Sequence, residues 1–125
     1  MYSISKEFNF SASHQLDGLP DDHQCARLHG HNYVVRLELT SRSTNPVGFV
    51  LDYGEMAPFK QYIDEKLDHR HLNDVVPFNP TAEKLAYWLT VQAAKLLDPP
   101  VGVDISVAVS ETPKTWARWY AGEDN

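Results

Sequence analysis

Apolar and polar residues alternate near the start of the chain. Phe8, Phe10, Ala12 and His14 fall on one side of an extended segment, and Glu7, Asn9, Ser11 and Ser13 on the other. This is the two-residue period of a half-buried strand. The pattern recurs with His29, His31, Tyr33, Val35, Leu37 and Leu39 opposite Gly30, Asn32, Val34, Arg36 and Glu38, which predicts a second strand from about His29 to Thr40. The two strands are expected to pair as a hairpin, although about fourteen residues separate them, among them Asp17-Gly18, Pro20 and Asp21-Asp22. Loops beyond about 12 residues are often functional, and Cys25 lies in this one. Gly48 to Asp52 predicts a short third strand. The period then changes. Asp52-Tyr53-Gly54-Glu55 resembles a capping box, and Met56, Phe59, Ile63 and Leu67 follow at helical spacing, ending near Asp68-His69-Arg70-His71.

Asn79-Pro80 opens a second predicted helix, with proline at its tolerated first position. Leu85, Trp88, Leu89, Ala93 and Leu96 form its apolar stripe, and Pro99-Pro100 stops it. Val103, Ile105, Val107 and Val109 alternate as another strand continued by Glu111, and after Thr112-Pro113 the chain returns from Thr115 to Tyr120. The ββααββ order predicts an α+β fold, an antiparallel four-stranded sheet with both helices on one face. At 125 residues the expectation is a single domain over residues 1–125 with a true hydrophobic core.

Charge narrows the function. Eleven Lys and Arg against seventeen Asp and Glu leave a net charge of −6 with no cationic cluster, which argues against nucleic acid as a partner. No segment approaches the length and apolarity of a membrane span or a signal peptide, so no membrane association is expected. The lone Cys25 cannot form an intrachain disulfide, and a cytoplasmic location is expected.

Six histidines in a chain this short point to chemistry. On a strand, His29 and His31 project to the same side, about 7 Å apart at their α-carbons. His14 ends the apolar row of the neighbouring strand, at the mouth of the same loop, so all three rings converge if the hairpin closes. Three imidazoles with a fourth position open are the donor set of a catalytic zinc site. Cys25 has two readings. A nearby cation and Arg27 would favour its thiolate as a base or nucleophile, and it could instead close a structural site as a fourth ligand. Asp68-His69 is a second candidate proton-transfer unit, a histidine with a carboxylate beside it, the alternative being an exposed pair at a helix end. Glu111 puts a carboxylate at the end of a core-facing row, where it needs a partner. A flat guanidine-like edge of a ligand would pair with it through two parallel hydrogen bonds, and Lys114 or Arg118 would serve as a salt-bridge alternative. His23 and His71 carry no argument beyond exposure.

Together these motifs resemble the 6-pyruvoyltetrahydropterin synthase family, most closely its bacterial 6-carboxytetrahydropterin synthase branch. The resemblance spans nearly the whole chain. It is carried by Phe8-x-Phe10-x-Ala12-x-His14, Cys25-Ala26-Arg27-Leu28-His29-Gly30-His31-Asn32-Tyr33, Leu67-Asp68-His69-Arg70-His71-Leu72-Asn73, Asn79-Pro80-Thr81-Ala82-Glu83 and Glu111-Thr112-Pro113. It implies zinc on His14, His29 and His31, Cys25 as catalytic base, and Asp68 and His69 completing a proton relay. Glu111 would anchor the pterin edge, with Thr81 and Glu83 reaching the substrate of a neighbouring subunit. The implied architecture is the tunnelling fold, with trimers closing their sheets into a barrel and stacking as a homohexamer. The three residues between Cys25 and His29 match the carboxytetrahydropterin branch. That branch implies conversion of 7,8-dihydroneopterin triphosphate and water to 6-carboxy-5,6,7,8-tetrahydropterin, acetaldehyde and triphosphate, toward preQ0 and other 7-deazapurines. The pyruvoyl synthase reaction on the same substrate is the near alternative, and a non-catalytic zinc module the distant one.

Overall fold

The computed structural model describes residues 1–121. The expectation of one domain running to residue 125 therefore extends four residues outside the described part. The hairpin forms as the alternation predicts. Strand β1 (Tyr2–His14) and strand β2 (His29–Ser41) pair antiparallel over their full length, from Tyr2 opposite Ser41 to His14 opposite His29. Strand β4 (Asp104–Ser110) pairs with β2, and β5 (Ala117–Trp119) with β4, both antiparallel. One side of this sheet is buried. Phe8, Phe10, Tyr33, Val35, Leu37 and Val107 sit under helices α1 (Ala57–Lys66) and α3 (Ala82–Leu97). Helix α3 packs on β4 and β5, while α1 lies against α3 and β1. The α+β class and the two helices on one face are as expected.

The sheet has five strands, not four, and one pairing is parallel. Arg70–His71 forms β3 beside β1, with Ala12 opposite Arg70 and Ser13 opposite His71, giving the order β3-β1-β2-β4-β5. A strand of two residues leaves no periodicity to read, because its partner alone defines it. The end of α1 builds it. The amides of Leu67 and Asp68 both donate to the Ile63 carbonyl, and His69 then turns the chain with φ 59°. Left-handed backbone is uncommon for a residue other than glycine. Here it is held by the His69 amide donating to the Ser11 carbonyl at 2.6 Å, and by the Ser11 amide donating to Asp68 Oδ1 at 2.9 Å. A short helix α2 (Leu72–Val75), also unexpected, follows β3 directly.

Gly48 to Asp52 is not a strand. Asn45 Oδ1 accepts from the amides of Val47, Gly48 and Phe49, which closes the backbone into a turn and leaves no ladder to extend. Asp52 does cap, but it caps a single 3₁₀ turn over Tyr53–Met56 through the Gly54 amide, and α1 begins after it. Helix α3 starts later than Asn79-Pro80. Thr81 is its N-cap, accepting from the Lys84 amide at 3.2 Å, and Pro80 is freed for another task. Buried Thr90 ties α3 to the sheet, its hydroxyl donating to the Ala86 carbonyl and accepting from the Val107 amide. Among the described residues no helix is long and apolar enough to cross a membrane.

Candidate metal centre

Because β1 ends at His14 exactly opposite the first residue of β2, pairing alone brings His14 and His29 together, and strand alternation adds His31 on the same side. One donor nitrogen from each of the three rings lies within 4.8 Å of the others. His14 Nε2 and His29 Nε2 stand 2.8 Å apart. Their other ring nitrogens are already committed. His14 Nδ1 lies 2.9 Å from the Pro80 carbonyl, and His29 Nδ1 lies 2.7 Å from the Arg27 carbonyl. A carbonyl only accepts, so both Nδ1 atoms carry the proton and both Nε2 atoms present lone pairs. Two lone pairs aimed at each other at hydrogen-bond distance are repulsive unless a cation lies between them. The third nitrogen, His31 Nε2, is buried without a hydrogen-bond partner. Fixed tautomers with backbone carbonyls behind them are how metal-binding imidazoles are oriented, and the three residues fit such an ion.

Electrostatics agree. Burial pushes the His14 and His31 imidazoles below the ordinary histidine range, against the opposing pull of Glu111, so both favour the neutral form a metal requires. Tyr33 is fully buried beneath the cluster, its hydroxyl 3.2 Å from His14 Nδ1, and burial raises it far above the usual phenol range. Glu111 reaches the same place. Its Oε2 lies 3.1 Å from His31 Nε2 and 3.8 Å from His14 Nε2. The salt-bridge alternative for Glu111 is not formed among the described residues, since Arg118 instead pairs with Glu38 and donates to the Ser106 hydroxyl.

Cys25 is half-buried in a 3₁₀ turn (Gln24–Ala26) and does not belong to the converging donor set. His23, for which sequence gave no role, accepts the Cys25 amide on Nδ1 at 3.0 Å. The Cys25 carbonyl accepts the Leu16 amide across the loop. Two asparagines fix the loop's first residues. Asn73 accepts the Gln15 amide and donates to its carbonyl, and Asn79 does the same for Asp17. Neither asparagine role, nor that of the Pro80 and Arg27 carbonyls, was found from the sequence. Hydrogen bonds to backbone leave no pattern in side-chain order.

Asp68 and His69 lie beyond the β1 edge, where His69 lines a cleft together with Ser11, Ser13, His31 and Asn32. His69 Nδ1 lies 2.9 Å from Asp68 Oδ2, and the His69 side chain is 83% exposed. The Ser11 amide, and then the His69 contact, hold the Asp68 carboxyl below its ordinary range. Among the described residues no hydrogen bond or ion pair joins this pair to the three imidazoles. Next to it, His71 Nδ1 meets Ser13 Oγ at 2.9 Å, a contact the sequence did not suggest. Of the two expected substrate residues near α3, Thr81 spends its hydroxyl on the cap and Glu83 is exposed in the first turn.

The sequence profile of the family described as 6-pyruvoyl tetrahydropterin synthase matches residues 3–122. The chain belongs to that family. A Synechocystis protein named 6-carboxy-5,6,7,8-tetrahydropterin synthase is 35% identical over 97% of this chain and 95% of its own. A Haemophilus influenzae protein of the same name is 30% identical over 95% and 99%. The solved structure of Caenorhabditis elegans 6-pyruvoyl tetrahydropterin synthase superposes with a TM-score of 0.82 over 97% of this chain and 96% of that one, at 24% identity, a likeness of fold.

Proposed function

We propose that the protein is a zinc-dependent 6-carboxy-5,6,7,8-tetrahydropterin synthase. It converts 7,8-dihydroneopterin triphosphate and water to 6-carboxy-5,6,7,8-tetrahydropterin, acetaldehyde and triphosphate, a step toward preQ0, queuosine and other 7-deazapurines. The observation that carries this reading is the convergence of three imidazoles, two of them fixed in tautomer by backbone carbonyls, in a chain alignable over nearly its whole length with relatives of that name. His14, His29 and His31 would hold zinc, which supplies Lewis-acid polarisation of the substrate's side-chain oxygens.

The chain's own residues do the rest. Cys25, presented on a turn whose amide is fixed by His23, takes a proton from carbon beside the ring. Glu111 accepts two hydrogen bonds from the amino-pyrimidinone edge of the pterin and sets which carbon faces the thiol. His69, oriented by Asp68, returns or collects the complementary proton. Its exposure and lack of contact with the imidazoles fit a relay that serves a site completed by a neighbouring copy. That reading accords with one tunnelling-fold domain assembled as a homohexamer in the cytoplasm, its short edge strands β3 and β5 left open for pairing. Thr81 and Glu83 would then meet substrate across the same boundary.

Incubation of the zinc-loaded protein with 7,8-dihydroneopterin triphosphate tests the assignment. Acetaldehyde and a carboxypterin are expected in equal amounts. A pyruvoyl product without acetaldehyde would overturn it in favour of the sister reaction.

A further inference from the structure

Glu111 stands closer to the metal-binding nitrogens than a residue waiting for pterin needs to be. It lies one residue beyond the end of β4, on the side of the sheet that carries Val107 and Val109. Around a tetrahedral ion with bonds of about 2.0–2.1 Å, neighbouring donor atoms are about 3.3–3.4 Å apart. The observed separations of Glu111 Oε2 from His31 Nε2 and His14 Nε2, 3.1 and 3.8 Å, bracket that spacing for two of the three rings, and ligation needs the carboxylate to move in toward His29 to join the converging donors. Yet His31 Nε2 makes no hydrogen bond. A carboxylate oxygen and an imidazole nitrogen at this distance, with no proton directed between them, repel each other. A shared cation turns the repulsion into two bonds.

Charge points the same way. Three neutral imidazoles leave both charges of a divalent ion uncompensated in a part-buried site, where an unpaired charge is costly. One carboxylate halves that charge. Among the described residues the close contacts of the Glu111 carboxylate with basic side chains are both with histidines of the cluster, and its side chain is only 23% exposed.

We propose that, before pterin binds, the Glu111 carboxylate is the fourth ligand of the metal held by His14, His29 and His31. Binding of the amino-pyrimidinone edge draws it away and opens the fourth position. The inference rests on the metal reading above and on Glu111 as the pterin anchor. One carboxylate cannot serve both partners fully, so pterin and the Glu111–metal bond compete. By reciprocity the metal lowers pterin affinity by the factor that pterin costs the bond. The device makes an open position conditional on substrate and keeps water off the ion in the resting site.

Cobalt(II) in place of zinc reports the coordination directly, without turnover. Wild-type protein, Glu111→Gln and His29→Ala are loaded with Co(II), and their visible bands and Co(II) affinities against a competing chelator are compared. Glu111→Gln keeps the shape but loses the anionic donor. It should shift the bands and weaken Co(II) binding at least about tenfold, no less than the loss of an outer-shell partner costs. Pterin itself, which has the recognition edge but no side-chain hydroxyls, should move the wild-type bands toward those of Glu111→Gln. That titration needs no substitution and stands even if the variant folds poorly. Unchanged bands and affinity in Glu111→Gln, or wild-type bands indifferent to bound pterin, overturn the proposal while leaving the three-histidine site intact. Failure of wild-type protein to take up Co(II), or equal uptake by His29→Ala, removes the metal reading and this inference together.

Discussion

Two histidine–carboxylate pairs in this molecule have nearly the same separation and opposite surroundings. His31 and Glu111 approach to 3.1 Å with side chains 18% and 23% exposed, whereas His69 and Asp68 approach to 2.9 Å with the imidazole almost entirely in water. In the first pair the neighbouring rings have their outer nitrogens tied to backbone carbonyls, and burial pushes His14 and His31 toward the neutral form. Those rings can bind an ion but are poorly placed to exchange protons. In the second, the carboxylate is stabilised as an anion by the Ser11 amide, and the ring stands open to solvent. Distance alone does not distinguish a ligand from a proton carrier. Burial and the neighbouring rings set the two surroundings apart.

The largest test of this contrast is His29→Ala. It removes one of the three proposed ion ligands, so metal content by elemental analysis should fall to background and activity with it. Metal retained at wild-type level would put the imidazoles on the same footing as His69. Cys25→Ala comes next. Because Cys25 is outside the donor set, zinc content should be unchanged while turnover falls about 10²–10⁴-fold, the usual worth of a positioned base. Loss of zinc in this variant would instead make Cys25 a fourth ligand of a structural site, and Glu111 would have no position to occupy.

The exposed pair is tested by complementation. His69→Ala should lower activity about 100-fold or more with no change in metal content. Coexpression with Cys25→Ala then asks which chain the relay serves. If His69 acts on a neighbouring copy, random assembly restores roughly a quarter of the wild-type sites. If both residues serve the same chain's site, the mixture stays as inactive as its parents, and the separation of the two pairs loses its functional meaning.

The buried pair was legible in the sequence and the exposed one only as a motif. Strand alternation is a geometric rule, so His14, His29, His31 and Glu111 announce a shared face as soon as the rows containing Phe10, Tyr33 and Val109 are recognised. The hairpin register then places His14 against His29 with no further information. What surrounds them was not legible. Pro80 contributes a carbonyl from 66 residues away, and Tyr33 a hydroxyl that the apolar pattern counts merely as core. Strand β3 and the turn at His69 exist because Ser11 offers its amide and carbonyl to one side chain and one amide, a tertiary event. The supposed strand at Gly48 to Asp52 fails for the converse reason. A single local side chain, Asn45, outcompetes the ladder.

Thr81 offers the finest separation of structure from chemistry. As N-cap of α3 it satisfies the Lys84 amide, and it follows Pro80, whose carbonyl fixes the His14 tautomer. Thr81→Ala should therefore cost about 1 kcal/mol in chemical denaturation, the usual worth of a cap. Thr81→Ser, which caps equally well, should recover it. If capping is the whole role, Thr81→Ser also restores KM to its wild-type value. A substrate role for the threonine methyl would show as a raised KM in the serine variant at full stability. In the alanine variant metal affinity should weaken slightly, because the Pro80 carbonyl is then anchored by a less stable helix end. An unaltered affinity would mean that the buried cluster holds His14 in its tautomer without help from α3, making the contrast with exposed His69 a matter of burial alone.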